Sequence, residues 1–328
     1  MNWRITTSPS FLTEGLFGQV FLHVFETLPK LYQSQIFPDW HITSLKYGME
    51  PDFLIIPGIL DLNYEVKNVE TQDIDLTNLR EHSISVLGNQ WEDLHNLWNA
   101  YFRIPTRIVK QADEFGDLSN TLGLHYRGTD KNQDFGHTNP VSHKDFLILI
   151  NDFINNHKNI DSIFIASDDN PIKQLVRENF KGKRIINTGE VSFWKTSEKA
   201  NKKTKGDHAL LDSLLLSKCK YLLKNQSALS AFAKIFNPKL NAYRISASKL
   251  FTDIPYFPDA YIPQLASEDP VCKSILKRLL KDDWTQNQNA IGKFGKPFYT
   301  MEREVIVKKR SRFSRLRIPT GFKILLRK

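Results

Sequence analysis

Short apolar runs alternate with amphipathic segments through residues 122–245, and this alternation constrains the fold more than any other feature of the sequence. The apolar runs predict strands at residues 122–126, 162–166, 184–187, 220–223 and 241–245. The segments between them predict helices at residues 142–156, 171–180, 207–218 and 228–236. Strands and helices that alternate at this spacing indicate a parallel, doubly wound sheet, so the predicted fold class is α/β.

The first half of the chain has a second, less regular α/β pattern. It predicts helices at residues 19–33, 91–101 and 106–115, and strands at residues 41–45, 53–56 and 84–87. The pair Pro57 and Gly58 predicts a turn. Because 328 residues are enough for more than one domain, we divide the chain into four parts. They are an N-terminal α/β domain (1–118), a Rossmann-like domain (119–250), a helical extension (251–304) and a basic tail (305–328).

Polar and charged residues follow the predicted strand 122–126. This segment reads L-H-Y-R-G-T-D-K, and its polar positions include His125, Arg127, Asp130 and Lys131. Ligands of open α/β sheets bind just beyond the carboxyl ends of the strands. The guanidinium group of Arg127 presents its donors in a fork that fits phosphate oxygens. The segment therefore indicates either an anion site or a simple ion pair between Arg127 and Asp130.

The same segment resembles the H-x-R-x-T-D-K motif of fucosyltransferases of the α-1,6 and nodulation group. Further segments resemble that family in the same order along the chain. They are T-N-P-V-S (138–142), I-F-I-A-S-D-D (163–169), D-H-A-L-L-D (207–212) and Y-L-L-K-N-Q-S-A (221–228). The resemblance covers roughly residues 120–240.

The resemblance implies two Rossmann-like domains that face a cleft, which is the GT-B glycosyltransferase fold. It implies transfer of fucose from GDP-fucose to a glycan hydroxyl by an inverting, metal-independent displacement. No cofactor is expected beyond this donor, and no pattern of His, Cys or carboxylate residues suggests a metal site. Two alternatives are a transferase for another nucleotide sugar on the same scaffold and a degenerate protein that only binds GDP or a glycan. A third is an adaptor that binds nucleic acid or a membrane surface through the basic tail.

The residues that the resemblance assigns to the donor lie at strand ends and helix starts. They are His125, Arg127, Gly128, Asp130, Lys131, Asp168, Asp169, Asp207, Asp212, Ser227 and Ala228. Arg127 is expected to hold the diphosphate and to stabilise the charge that develops on it during transfer. The family often has a second arginine where this chain has Gly128, so either a lysine replaces it or catalysis is weakened.

Several of these residues also have purely structural interpretations. Ser227 can cap the next helix, or bind phosphate together with the helix dipole. We expect one carboxylate of Asp168 and Asp169 to cap a helix and the other to bind the nucleotide. Asp212 lies in an apolar helix and should therefore have a fixed partner. His125 either contacts the donor or orders the loop.

The acceptor side of the reaction is less well marked in the sequence. Asp134 is a candidate for the general base that takes the proton of the acceptor hydroxyl, or it is a simple loop acid. Gly15 and Gly18 precede a predicted helix, where backbone N–H groups can meet a sugar or an anion. A tight turn is the other interpretation of these two glycines.

The excess positive charge of the chain lies in residues 305–328. The chain has 45 basic and 36 acidic residues, and nine of the basic residues but no acidic residue lie in this tail. Basic residues interleaved with apolar ones are typical of segments that lie on an anionic membrane surface, although a disordered tail or a packed helix is also possible. The rest of the chain is neutral, so we do not expect nucleic-acid binding.

The location of the protein can also be predicted. The sequence has no run of about 18 apolar residues and no pattern of a secretory signal at its start. Its two cysteines, Cys219 and Cys272, do not form a disulfide framework. These features predict a cytoplasmic protein, with the basic tail allowing a peripheral position on the inner face of the membrane.

Overall fold

The computed structural model describes most of the chain. The described residues are 2–6, 16–43, 54–66, 71–76, 91–128, 140–189, 202–247 and 262–280. Five sets of predictions lie outside these ranges. They concern the strand 84–87, Gly15, the pair Asp130 and Lys131, Asp134, and the tail 305–328.

The first half of the chain contains a small parallel sheet and several helices. Its strands are β1 (Asn2–Thr6), β2 (Asp39–Thr43), β3 (Asp61–Leu62), β4 (Thr71–Asp75) and β5 (Phe102–Arg103). Its helices are α1 (Leu22–Gln33), which follows a π-helical turn (Leu16–Phe21), α2 (Ile55–Gly58), α3 (Trp91–Tyr101) and α4 (Thr106–Asp113). Strand β1 lies between β2 and β4 and is parallel to both, whereas β3 and β5 form an antiparallel pair.

Predictions for the first half were better for helices than for strands. The helix 91–101 is confirmed as α3, and the helix 106–115 is confirmed as the slightly shorter α4. The predicted strand 53–56 is confirmed only at Leu54, which is extended and forms an antiparallel bridge with Thr43. From Ile55 to Gly58 the chain forms the helical turn α2, so Pro57 and Gly58 lie inside a helical turn and do not form a separate turn. A short apolar run fits a strand and a buried helical turn equally well. Gly18 lies inside the π-helical turn, so the chain is already helical where a tight turn was expected.

The second half of the chain contains a larger, fully parallel sheet. Its strands are β6 (Thr121–Tyr126), β7 (Ser162–Ser167), β8 (Arg184–Ile186), β9 (Tyr221–Lys224) and β10 (Asn241–Arg244). The helices are α5 (His143–Asn156), α6 (Asn170–Asn179), α7 (Lys202–Lys218), α8 (Ala228–Phe236) and α9 (Pro270–Leu280). The strand order is β10-β9-β6-β7-β8. The alternating pattern is confirmed, and α7 differs most because it begins at Lys202 rather than at 207.

Helices cover both faces of this larger sheet. Leu122, Leu124 and other residues of one face share an apolar cluster with α5, α6 and α9. Phe164, Ala166 and Leu222 lie on the other face, in a cluster that contains apolar residues of α7 and α8. A sheet that is buried on both faces needs apolar residues at successive positions, which is why its strands read as continuous apolar runs. The protein is therefore an α/β protein with a doubly wound sheet.

The second of these clusters continues into the first half of the chain. Its central ring is Phe232 of α8, which contacts Phe17, Phe25 and Trp98 at centroid distances of 5.4, 6.0 and 5.3 Å. His95 of α3 also bonds through Nδ1 to the carbonyl oxygen of Ile235 at 2.8 Å. The two halves of the chain thus share one apolar core. The domain boundary near residue 118 stays a prediction.

In the described ranges, none of the helices has the length and apolar character that crossing a bilayer requires.

Candidate functional site

The strand order places a topological switch point between β6 and β9, and we call this place the crevice. The chain runs from β6 through β7 to β8 on one side, and then returns to place β9 and β10 on the other side of β6. Connections therefore leave β6 and β9 in opposite directions at their carboxyl ends, and ligands of open α/β sheets bind at such a point. His125 in β6 is in register with Lys224 in β9. The predicted motif residues of these two distant segments thus meet at one edge of the sheet.

Arg127 lies at the carboxyl end of β6, beside Asp168 at the end of β7. The Nε atom of Arg127 is 3.8 Å from Oδ2 of Asp168, and the Gly128 N–H donates to Oδ1 of Asp168 at 3.1 Å. The side chain of Arg127 is 28% exposed, so a ligand in the crevice can reach it. Asp168 therefore holds the end of β6 in place and partly balances the charge of Arg127.

The space beside Gly128 is already filled. A Cβ atom at this position would overlap Oδ2 of Asp169 and would lie 2.6 Å from Cε1 of Tyr126. A side chain could enter only if Asp169 moved, and Asp169 has other contacts to keep. This close approach is a physical reason for the glycine where the resembling family often has a second arginine.

Asp169 is the N-cap of α6. Its Oδ1 accepts from the Ile172 N–H at 3.3 Å, and its Oδ2 bonds with Nε2 of His143 at 2.9 Å. An N-cap carboxylate satisfies an N–H group that has no partner within the helix and interacts favourably with the helix dipole. The expectation that one of the two adjacent acids caps a helix is confirmed for Asp169.

A chain of hydrogen bonds links His125 to the loop before α8. Oγ of Ser230 lies 2.9 Å from Nδ1 of His125 and 3.3 Å from the carbonyl oxygen of Ser227. A hydroxyl has one proton, so both bonds form together only when His125 donates from Nδ1 and Ser230 donates to the carbonyl. This network couples the two sides of the crevice. Sequence reasoning missed Ser230, which reads as an ordinary small residue in a buried helix.

The loop before α8 brings a second source of positive potential to the crevice. Ser227 occupies the N-cap position of α8 and Ala228 begins the helix, and both are buried. The Ser227 side chain makes no capping bond to α8, so the interpretation as a plain N-cap is not supported. The N-terminus of a helix carries a partial positive charge, which suits an anion such as a phosphate.

Lys224 adds a buried amino group next to His125. It is the last residue of β9 and is fully buried, and its register with His125 places both side chains on the face covered by α8. Lys224 was not predicted as a site residue. A charged residue directly after three apolar strand residues was the signal that could have found it.

Asp212 has the fixed partners that its apolar helix led us to expect. Oγ1 of Thr188 donates to Oδ1 of Asp212 at 2.7 Å, and the nearby Lys173 donates to the carbonyl oxygen of Gly189 at 3.1 Å. Burial raises the pKa of Asp212 from 3.8 to about 6, although the Thr188 hydrogen bond and the Lys173 charge act in the opposite direction. Thr188 follows β8, so this cluster lies at the same edge of the sheet as the crevice.

The raised pKa of Asp212 predicts how stability depends on pH. The folded protein keeps this proton up to about pH 6, whereas the unfolded chain loses it near 3.8. Protonated Asp212 therefore stabilises the fold fully at a pH below 3.8, the pKa in the unfolded chain. This contribution is lost as the pH rises through about 6, the pKa in the folded protein. Relative to Asp212→Asn, the wild type should lose about 2 kcal/mol of unfolding free energy between pH 4 and pH 7. Urea unfolding at several pH values measures this difference.

Lys173→Met serves as the companion variant for this pH experiment. Removing the nearby cation leaves the charged form of Asp212 less stable, so the loss of unfolding free energy should shift to higher pH. A difference between wild type and Asp212→Asn that does not change from pH 4 to pH 7 would contradict the raised pKa.

Asp207 is bound to the first half of the chain. Its carboxylate forms two contacts with Arg107 of α4, at 2.7 Å from Nη2 and 3.3 Å from Nε. The same Nη2 donates to the carbonyl oxygen of Gly58 at 3.1 Å. The structure thus places Asp207 in a two-contact ion pair between α4 and α7 and gives it no bond to the crevice residues described above. Arg107 was not predicted, because an arginine on an amphipathic helix reads as a surface residue.

The predicted donor-site residues that the structure describes therefore fall into three groups. Those at the crevice are His125, Arg127, Gly128, Asp168, Asp169, Ser227 and Ala228. Asp212 lies in the neighbouring cluster after β8, and Asp207 is held by Arg107. Among the described residues, no group of three His, Cys, Asp or Glu side chains could hold a metal ion.

Comparisons with known proteins give matches among solved structures. No protein-family model and no curated protein matches the chain. One similar structure is NodZ α-1,6-fucosyltransferase soaked with GDP-fucose, which is 12% identical to this chain and has a TM-score of 0.45. The match covers 73% of this chain and 94% of the NodZ chain. A second is a mutant of Arabidopsis thaliana FUT1 in complex with GDP, which is 10% identical to this chain and has a TM-score of 0.45. The match covers 82% of this chain and 76% of the FUT1 chain. A third is POFUT1 in complex with GDP-fucose, which is 11% identical to this chain and has a TM-score of 0.43. The match covers 74% of this chain and 97% of the POFUT1 chain.

Each of these TM-scores lies below 0.5. The functional conclusion therefore rests on the geometry of the crevice and on the sequence motif that it contains.

Proposed function

We propose that the protein is a glycosyltransferase that transfers fucose from GDP-fucose to a hydroxyl group of a glycan. One observation carries this proposal, namely that Arg127 and the N-terminus of α8 follow the carboxyl ends of two adjacent parallel strands, β6 and β9. These groups bring positive charge to the crevice from two separate segments. A departing nucleoside diphosphate gains negative charge, and fixed positive groups stabilise it.

The reaction we propose is a single inverting displacement. The acceptor oxygen attacks the anomeric carbon of fucose on the face opposite the diphosphate. The bond between that carbon and the phosphate oxygen breaks, and its electron pair leaves with GDP. Arg127, Ser227 and the α8 N-terminus would hold the diphosphate, and Asp134 is our candidate for the base that takes the acceptor proton.

The nucleoside of the donor would lie over the carboxyl ends of β7 and β8. Asp168 and Asp212 lie at the carboxyl ends of these strands. Their carboxylate oxygens could accept hydrogen bonds from ribose hydroxyls and guanine N–H groups. The first half of the chain would bind the glycan acceptor. Residues 305–328 would bind an anionic membrane surface from the cytoplasmic side.

A thermal-shift titration tests this proposal. The ligands are GDP, GDP-fucose, GDP-mannose, UDP-glucose, ADP and inorganic pyrophosphate. A ligand at about 100 times its Kd raises the unfolding free energy by roughly 2.7 kcal/mol, so binding gives a clear rise in Tm. We expect a rise with the GDP compounds and a much smaller one with ADP, UDP-glucose and pyrophosphate.

Release of GDP from GDP-fucose in the presence of glycan acceptors is the second measurement. Stabilisation by UDP-glucose or ADP in preference to GDP would show that the donor is a different nucleotide sugar. GDP binding without any release of GDP across a broad acceptor set would favour a protein that binds the nucleotide without turnover. Absence of any response to GDP compounds would contradict the proposed function.

A further inference from the structure

Two amide side chains directly after β9 have buried polar atoms that make no hydrogen bond. Asn225 is 1% exposed, and within the described part of the chain neither its Nδ2 nor its Oδ1 has a partner. Gln226 is 6% exposed, and its Oε1 has no partner there either. An unpaired buried amide is costly, because it has lost its bonds to water without gaining others. Such groups are rare in folded proteins and require an explanation.

The backbone of the same segment is well bonded. The Asn225 N–H donates to the carbonyl oxygen of His125 at 3.2 Å, and the Gln226 N–H donates to Oγ of Ser246 at 3.2 Å. Buried hydroxyls in the neighbouring helices, such as Ser213 and Ser217, also have partners. Within this segment the unpaired atoms therefore belong to two side chains, which directly follow the carboxyl end of β9. Elsewhere among the described residues, Nε1 of Trp40 and Nε1 of Trp98 also make no hydrogen bond, but these two rings lie in the apolar core of the first half of the chain.

The chemistry of a carboxamide limits what can complete these bonds. Asn225 offers one acceptor oxygen and two N–H donors, so its partner must both donate and accept. A diphosphate offers acceptors only and would leave Oδ1 unpaired. Sugar hydroxyls donate and accept, so one or two of them satisfy both ends of the amide.

We propose that Asn225 binds hydroxyl groups of the hexose in the nucleotide-sugar donor, with Gln226 providing a second acceptor. This inference rests on the proposed function. The hexose is joined directly to the diphosphate, and Asn225 is two residues before Ser227 at the start of α8. The nucleoside acceptors Asp168 and Asp212 lie on the other side of β6, toward β7 and β8. This arrangement directs the hexose toward β9. Because Asn225 is buried, the hexose reaches it after local opening of the crevice.

The substitution Asn225→Leu tests this inference, because leucine has a similar shape and no polar atoms. The Tm of the ligand-free variant should rise, since an unpaired buried amide is replaced by an apolar group. The affinity for GDP should stay within about twofold of wild type, whereas the affinity for GDP-fucose should fall by about tenfold or more. Titration calorimetry with GDP and GDP-fucose measures both affinities. Asn225→Ala replaces this variant if the leucine is not accommodated.

Asn237→Leu is the matched control. Its Nδ2 donates to the carbonyl oxygen of Ser217 at 2.7 Å, so the same change removes a bond that exists. The Tm of this variant should fall, and its preference between GDP and GDP-fucose should not change.

Two results would overturn the inference. Equal losses of affinity for GDP and GDP-fucose in Asn225→Leu would assign Asn225 to the nucleotide. Unchanged affinities for both, together with a lower Tm, would show that a buried water satisfies the amide. Failure of the proposed function has a different signature, because the wild type itself would then not respond to GDP.

Discussion

Replacing Arg127 with alanine should abolish sugar transfer while the protein stays folded. The side chain is partly exposed, and its ion pair with Asp168 is long at 3.8 Å, so we expect the variant to fold. Its proposed task is to stabilise the charge that develops on the departing diphosphate. Removing one such group lowers kcat by about 10²- to 10³-fold in well-studied cases. Release of GDP from GDP-fucose measures the loss, and the GDP-induced rise in Tm should also disappear.

Two further variants make the Arg127 experiment specific. Arg184 begins β8 at the opposite edge of the same sheet and donates to the carbonyl oxygen of Phe115 at 3.0 Å, so Arg184→Ala should keep both transfer and GDP binding. Arg127→Lys keeps the charge but loses the planar fork, so its activity should lie between those of wild type and Arg127→Ala. Transfer close to the wild-type rate in Arg127→Ala would rule out the proposed role.

The second large effect is expected for Phe232→Ala, which should lower the unfolding free energy by about 3–5 kcal/mol. Phe232 is fully buried and lies among Phe17, Phe25 and Trp98 of the first half of the chain. Its removal leaves a cavity where the two halves meet, and packed rings on both sides limit collapse into it. Total stabilities are typically only about 5–15 kcal/mol, so urea unfolding will show a large change.

Phe236→Ala is the control for this cavity. Phe236 is only partly buried and lies at the margin of the same cluster, with centroids 6.2 Å from Phe232 and 6.3 Å from Trp98. Its truncation should cost clearly less than that of Phe232. Equal losses for the two variants would mean that Phe232 does not hold the centre of the shared core.

The second half of the chain could be predicted from sequence because its strands are buried on both faces. Runs such as Leu222 and Leu223 are apolar at successive positions, as strands inside a doubly wound sheet require, and they alternate regularly with helical segments. The first half lacks that signal. Strand β1 and strand β4 were not predicted, because Asn2–Thr6 and Thr71–Asp75 are mostly polar and are held by pairing with each other. Strands of this kind form because of their contacts with distant parts of the chain, and the local sequence pattern carries no information about those contacts.

The site was predictable where its residues follow apolar strands. Arg127 and Asp168 both follow such strands, and their meeting at one edge follows from parallel pairing. The residues that sequence reasoning missed act through contacts across the fold. Ser230 matters because a helix brings it to His125, and Asn225 matters because its amide has no bond among the described residues. Neither fact has a signature in the spacing of residues along the chain.

The pairing of β6 with β9 also has a consequence for synthesis of the chain. Leu122 pairs with Tyr221, and the whole of β7, β8 and α7 lies between them in sequence. Contacts between such distant segments form slowly, because a long loop must close before they are made. During translation, β6 therefore leaves the ribosome well before β9 and α8. The crevice cannot form until these later elements have also emerged. Nucleotide binding by a nascent chain would consequently report that the larger sheet is complete.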